Sequence, residues 1–357
     1  MNGRPVRHWR TAQNSAYVHR RSLGTAPHAG PCLVHRTCTI HDMPPKGPAK
    51  TCAVWAAADQ GQLLHNTFSG SSLSCTSVGC ADTSALTALA TALNAEPVDD
   101  VRQMLHRTDA DVIWLAAPGV LDADLRGIIT ASKTPVATSA PCKEGFNPEL
   151  YTTAHAHFLP LLRGGESFAN AMGCVDVLGL TRCMQYAATA GDHQISLRSL
   201  LLDAADVVLH LVGMPDEVFA GHSGGALSPD PVADITGHLT ATMRFASGCT
   251  ASIMVSDGGG TWVRRATVLG DRGRMIWTDD DVCWTSQDGT VHEEEVHAPD
   301  TQATAGSLSR WHLLRLIEGK SVPTLSADAA LLCESIRLSC VTGQIEEPAH
   351  VSRMFGS

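Results

Sequence analysis

No apolar run in this sequence approaches the roughly 18 to 20 residues that a membrane-crossing helix requires. Asp, His, Gly or Pro breaks each of the longest candidates within about ten residues. Positive charge is also in deficit: 26 Lys and Arg stand against 36 Asp and Glu, a net charge of −10. That balance argues against phosphate-backbone binding as the main activity, so neither a membrane nor a nucleic acid is expected as a partner. There are twelve cysteines but no CxxC pair. The thiols (Cys75, Cys80, Cys174, Cys249, Cys333, Cys340) fall inside apparent strands and helices, as reduced, mostly buried cysteines of a cytoplasmic protein do. What the chain does have is length: 357 residues, 44% hydrophobic, enough for about two domains with large cores.

The first 42 residues lack acid. Arg4, Arg7, Arg10, Arg20, Arg21 and Arg36 face only Asp42, a local charge of +5 that leaves −15 for the remainder. This basic leader reads either as a transit-type segment or, preferred here, as upstream sequence with Met43 as the true start. His28, Cys32, His35, Cys38 and His41 in it have the spacing of metal ligands. No hairpin or helix pattern flanks them to fix a tetrahedron, and no metal site is expected.

The next missing residue is glycine, at one turn. Thr51 to Gly61, TCAVWAAADQG, reads as a short apolar strand (Cys52 to Trp55) passing into a helix (Gln62 to Phe68). That is where a dinucleotide-binding unit puts G-x-G-x-x-G, yet here the frame is Ala56-x-Ala58-x-x-Gly61. The first glycine serves the tight turn and the second the approach of pyrophosphate, so two alanines predict weakened or displaced binding. Gly61 keeps the close helix-to-sheet contact. Asp59 either lies near bound phosphate or caps the helix.

From residue 51 to about 145, strands alternate with helices: strand Leu73 to Ala81, helix Ser84 to Leu93, helix Val98 to His106, strand Asp111 to Ala117, helix Asp122 to Ser132, strand Pro135 to Ser139. Alternating βα units with apolar strands predict a Rossmann-like, doubly wound parallel sheet covered on both faces. Asp82 ends the second strand, about 20 residues past the turn, where a carboxylate meets an adenosine ribose and favours NAD over NADP. It is equally suited to cap the following helix.

From 146 to about 345 the pattern changes. Leu239, Ala241, Met243 and Phe245 alternate with Thr240, Thr242 and Arg244, and turns separate further short strands at Cys249 to Val255, Ala266 to Leu269, Arg274 to Trp277 and Val282 to Thr285. An antiparallel meander with closing helices (Leu308 to Glu318, Ala327 to Thr342) is predicted, an α+β domain with a large open sheet. His155 and His157 project from one side of an extended chain and read as solvent-facing.

Several of these segments together resemble the Gfo/Idh/MocA family of NAD(P)-dependent sugar and cyclitol oxidoreductases. They are TDADVIWLAAPG, then Pro141 in TPVATSAPC 23 residues after Pro118, Gly173 to Gly179, and DVVLHLVGMP from Asp206 to Pro215; the resemblance spans about residues 51 to 345. It implies a cofactor site at Ala58, Asp59, Gln60, Gly61, Asp82, Ala117, Pro118 and Ser139, holding NAD(H) or NADP(H). It implies final helices (308–342) packed back on the first domain, a homodimer through the open sheet face, and a small-molecule ligand.

The resemblance also exposes a lack of catalytic groups. The family's Glu-Lys-Pro falls on Ser139, Ala140 and Pro141, and alanine has no proton to give. The family's Asp-x-x-x-His falls on Ser199 and Asp203. Leu200, Val207 and Leu211 stripe one side of that helix, so Asp203 and Asp206 are expected to face solvent. Asp203, His210 (one turn past Asp206) and Lys143 are weak substitutes, with His210 read as structural. The chain also economises on loops from Pro141 to Pro160 and from Tyr186 to Ser199. The expectation is a pseudo-oxidoreductase that binds a dinucleotide or sugar-like ligand weakly or serves as a partner subunit. The alternative is an active NAD(P)-dependent oxidoreductase of a small sugar, cyclitol or related carbonyl compound with a rearranged site.

Overall fold

The computed structural model describes residues 49–107, 109–138, 146, 148, 156–159, 166–190, 195–224, 235–260, 262–278, 281–295, 301–322 and 324–355. The basic leader with its His and Cys spacing, and Ser139, Ala140, Pro141, Lys143 and His155, lie outside these residues.

The first sheet forms as alternation predicts. Strands β1 (Lys50–Trp55), β2 (Leu73–Gly79), β3 (Glu96–Val98), β4 (Val112–Leu115), β5 (Val136–Thr138) and β6 (Ala156–Phe158) lie in the order β3-β2-β1-β4-β5-β6, all parallel. Helices α1 (Gly61–Phe68), α2 (Thr83–Leu93), α3 (Val101–Leu105) and α4 (Ala123–Ala131) connect them. Adjacent residues of one strand serve different cores. Cys52, Val54, Val112 and Trp114 join Leu64 and Leu86 on one side, while Ala53, Trp55, Ile113 and Leu115 join Met104 and Ile129 on the other. Such strands carry apolar residues on both faces, which is why they read as unbroken hydrophobic runs.

Two short strands of this sheet escaped the sequence reading. β3 takes Val98 away from the expected helix, which starts only at Val101 with Asp100 as cap. Pro97 is tolerated in it because β3 is an edge strand. β6 carries His157, which is half-buried, not solvent-facing, and burial lowers the pKa of its imidazole.

The second sheet has eight strands: β7 (Thr181–Thr189), β8 (Glu217–Ser223), β9 (His238–Arg244), β10 (Thr250–Ser256), β11 (Val263–Gly270), β12 (Gly273–Thr278), β13 (Asp281–Ser286) and β14 (Val291–Glu295). Their order is β14-β13-β12-β11-β7-β10-β9-β8. The expected meander is therefore interrupted. β7 inserts between β10 and β11, parallel to the first and antiparallel to the second.

Helices α5 (Glu166–Leu178), α6 (Leu197–Leu211) and α8 (Ala327–Thr342) pack on one face of this sheet. The other face is open and exposes Phe219, Met254, Val263 and Leu269 among threonines and arginines. Helix α7 (Thr301–Ile317) lies instead against α1 and β4. There the Arg310 guanidinium donates to the carbonyls of Thr67 at 2.7 Å, of Asn66, and of Ser69 at 3.2 Å, closing the C-terminal end of α1. A last helix, α9 (Pro348–Met354), packs on α8.

Among the described residues no helix is long and apolar enough to cross a membrane. Cys52, Cys75, Cys80, Cys183, Cys249, Cys333 and Cys340 are free thiols. Burial pushes the Cys75 thiol up to about 12 and the Cys340 thiol up to about 11, so these stay protonated near neutrality.

Candidate functional site

In an open parallel sheet, ligands enter where neighbouring strands send their connections to opposite faces. Here that point lies between β1 and β4. The two strand ends are tied together: Trp55 C=O accepts from the N–H of Ala116 at 2.8 Å and of Ala117 at 3.0 Å, and Ala56 N–H donates to Gly79 C=O at 2.9 Å. Trp55 itself is buried because β2 ends in glycine. A Cβ on Gly79 would lie 2.1 Å from Trp55 Cε3.

The AxAxxG turn is made without strain. Neither Ala56 nor Ala58 has positive φ, since Asn94 is the one non-glycine with positive φ among the described residues. The expected cost of a Cβ at the first position is thus absent: Ala56 is buried in the core, while the methyl of Ala58 is exposed where the second glycine of the fingerprint would stand. A Cβ on Gly61 would make ordinary contact with Leu89 at 3.6 Å, so close helix packing does not demand glycine there.

Asp59 is exposed and does not cap α1. The cap position belongs to Gln60, and no side chain bonds the helix end. Gln60 does something else. Its Oε1 accepts the Ala57 N–H at 2.9 Å and its Nε2 donates to the Ala116 carbonyl at 3.0 Å. One carboxamide thus bridges the turn after β1 and the end of β4.

Asp82 caps α2. Its Oδ1 takes the Ser84 hydroxyl at 2.7 Å and the N–H groups of Ser84 at 2.8 Å and Ala85 at 3.2 Å. Those bonds, the hydroxyl's first, hold its carboxyl below the usual carboxylate range. The residue is exposed at the end of β2. Ala117 is buried and Pro118 exposed just beyond β4.

The other candidate chemistry sits on α6, where the structure corrects the sequence reading. Asp203 and Asp206 do not face solvent; both are buried. The apolar stripe seen in sequence was half the truth. Leu201, Leu202, Ala204, Ala205 and Val208 cover the other side, so α6 is packed on both sides between β7, β10 and α8 and takes Asp203 and Asp206 inside with it.

Asp203 Oδ2 accepts from Arg264 Nη1 of β11 at 3.0 Å, with the two side chains 8% and 6% exposed. The Arg264 guanidinium also lies 5.1 Å from the centroid of Trp262. A carboxylate fixed in a dry ion pair is a poor proton shuttle, because taking up a proton forfeits its attraction to the guanidinium. Arg264 was missed because the sequence strand began only at Ala266. The signal was present: in VRRATVLG the alternation turns Arg264 to the helix side, and an inward arginine requires a buried acid.

His210 stands apart from that pair. It is exposed, about two helical turns from Asp203. Its Nδ1 is 2.9 Å from the Asp206 carbonyl and 3.8 Å from the Asp206 carboxylate, and its ring meets Phe168 edge-on at 6.2 Å. No group of three or more His, Cys, Asp or Glu among the described residues is placed to hold a metal.

No protein-family model and no curated protein matches this sequence. Solved structures do match in fold. An oxidoreductase from Agrobacterium radiobacter in complex with NAD+, L-tartaric acid and magnesium has a TM-score of 0.69 at 12% identity, covering 85% of this chain and 99% of its own. Levoglucosan dehydrogenase in complex with NADH and levoglucosan gives 0.68 at 13%, covering 84% and 99%. A myo-inositol dehydrogenase from Corynebacterium glutamicum gives 0.62 at 16%, covering 84% and 98%. The parallel sheet followed by the large, mostly antiparallel one is the Gfo/Idh/MocA two-domain fold.

Proposed function

We propose that this chain is a pseudo-oxidoreductase: a protein of Gfo/Idh/MocA fold that binds a dinucleotide or a sugar-like ligand weakly and does not carry out hydride transfer. The observation that carries the reading is the Asp203–Arg264 ion pair. At the position that aligns with the family's catalytic histidine, the one carboxylate is consumed in a buried pair 3.0 Å long. The substituted glycines and the carboxamide bridging the turn support weak cofactor contact. NAD is favoured over NADP because the exposed Asp82 carboxylate at the end of β2 repels a 2′-phosphate.

The same exposed carboxylate favours the second reading, an active NAD(P)-dependent oxidoreductase of a small sugar, cyclitol or related carbonyl compound. Two of the structures similar in fold hold NAD+ or NADH. The test is a titration of the full-length chain with NADH and NADPH, reading energy transfer from tryptophan, followed by NAD+ reduction assays over a panel of polyols and sugars. Saturable micromolar to millimolar binding without turnover is the expected result. Turnover on any member of the panel overturns the pseudoenzyme reading, and no binding up to millimolar cofactor removes the dinucleotide.

A further inference from the structure

The ends of β1 and β4 are joined by the side chain of Gln60. Ala57 belongs to the turn after β1 and Ala116 to the end of β4, and the Gln60 carboxamide bonds both at once. Its geometry uses the amide fully in one direction: the oxygen takes an N–H from one bank and the nitrogen gives an N–H to a carbonyl of the other. Gln60 is half-buried, neutral, and attached through three rotatable bonds. Backbone groups near a dinucleotide turn are those a pyrophosphate or ribose needs to meet.

We propose that Gln60 is a displaceable clasp: its carboxamide ties together the two strand ends at the switch point, and a dinucleotide enters as the side chain swings out. The proposal rests on reading the crevice as a dinucleotide site. It makes the weak affinity a consequence of self-competition as well as of the two alanines. The clasp contributes two neutral hydrogen bonds to the closed state, so opening it lowers affinity by roughly ten-fold. The Asp203–Arg264 pair on α6 has no such option, because both its charges are buried.

The experiment compares the full-length wild type with Gln60→Met and Gln60→Ala. Methionine keeps the length of the side chain and removes both bonds; alanine removes the volume too. Two readouts are taken: NADH affinity by tryptophan-to-nicotinamide transfer, and hydrogen exchange of the Ala57 amide without ligand. The expected result is NADH binding tighter by roughly ten-fold in both variants and faster Ala57 exchange in both. Tightening in the alanine variant alone means that space matters and the bonds do not, which overturns the clasp. Equal or weaker NADH binding in both variants overturns the clasp while leaving the dinucleotide reading intact. Unchanged Ala57 exchange in the methionine variant also overturns it. No NADH binding by any of the three proteins up to millimolar concentration sinks the dinucleotide reading and the clasp together.

Discussion

The crevice between β1 and β4 and the α6–β11 contact are both places where this fold directs attention, and they are closed by different physics. At α6 the closure is ionic and dry: Asp203 and Arg264 sit 3.0 Å apart with both side chains under a tenth exposed. At the crevice it is neutral and half-wet: the Gln60 carboxamide bridges two backbone groups. A buried pair cannot lose one member cheaply, since the survivor stays charged away from water. A neutral amide can, since water replaces its bonds. The first arrangement therefore behaves as structure and the second as something a ligand can displace.

The sharpest way to break this comparison is at α6. Asp203→Leu removes the carboxylate that Arg264 Nη1 meets at 3.0 Å and is expected to cost about 3–5 kcal/mol of unfolding free energy, read by urea denaturation. The double variant Asp203→Leu with Arg264→Met is expected to regain most of that, because both members of the pair are removed together. A single variant as stable as wild type would show the pair to be solvated and the α6 carboxylate available for chemistry.

Near the crevice the rigid component is Gly79 under Trp55. Gly79→Ala forces a methyl into the indole at 2.1 Å, with an expected loss of about 1–3 kcal/mol and a shift of tryptophan emission as the ring moves. An unchanged spectrum and stability would mean that Trp55 adapts freely. Gln60→Met, by contrast, is expected to change denaturation by about 1–2 kcal/mol or less, two neutral bonds being exchanged for bonds to water. A loss as large as that of Asp203→Leu would erase the distinction between lock and clasp.

The smallest effect is a pH dependence at Asp82. Its carboxyl is held below the ordinary 3.8 by the Ser84 hydroxyl and the Ser84 and Ala85 N–H groups. A depressed folded value means that the contribution is complete above the unfolded value and lost as pH falls through the folded one. Melting temperatures of wild type and Asp82→Ala are expected to differ at pH 7 and to converge as pH drops below about 3.8. A difference that persists in strong acid would show that the cap does not depend on the charge.

Much of this was legible beforehand because it is local. The βα alternation from Cys52 onward and the strict alternation of Leu239, Ala241 and Met243 match the observed β1, β2, β4 and β5 and the buried face of β9. Gln60, Asp82 and Ala117 are residues that the resemblance implies for a cofactor site, and the structure draws Gln60 and Ala116 together across 56 residues of chain. β3 and β6 were not legible, being three residues each, too short for a period to show. Nor was the bonding of Gln60, since a glutamine in a turn carries no sign of which strand end it reaches.

The sequence by itself determined the parallel sheet, the change to alternating strands after it, and the absence of the family's glycines, lysine and histidine. These follow from period and residue type, which the chain carries locally. Only the tertiary structure decided that β7 slots between β10 and β11, that α6 is packed on both sides, and that Asp203 meets an arginine 61 residues away. Pairing across such separations depends on which surfaces the elements present after they pack, and a buried charge takes its meaning from the partner that packing supplies.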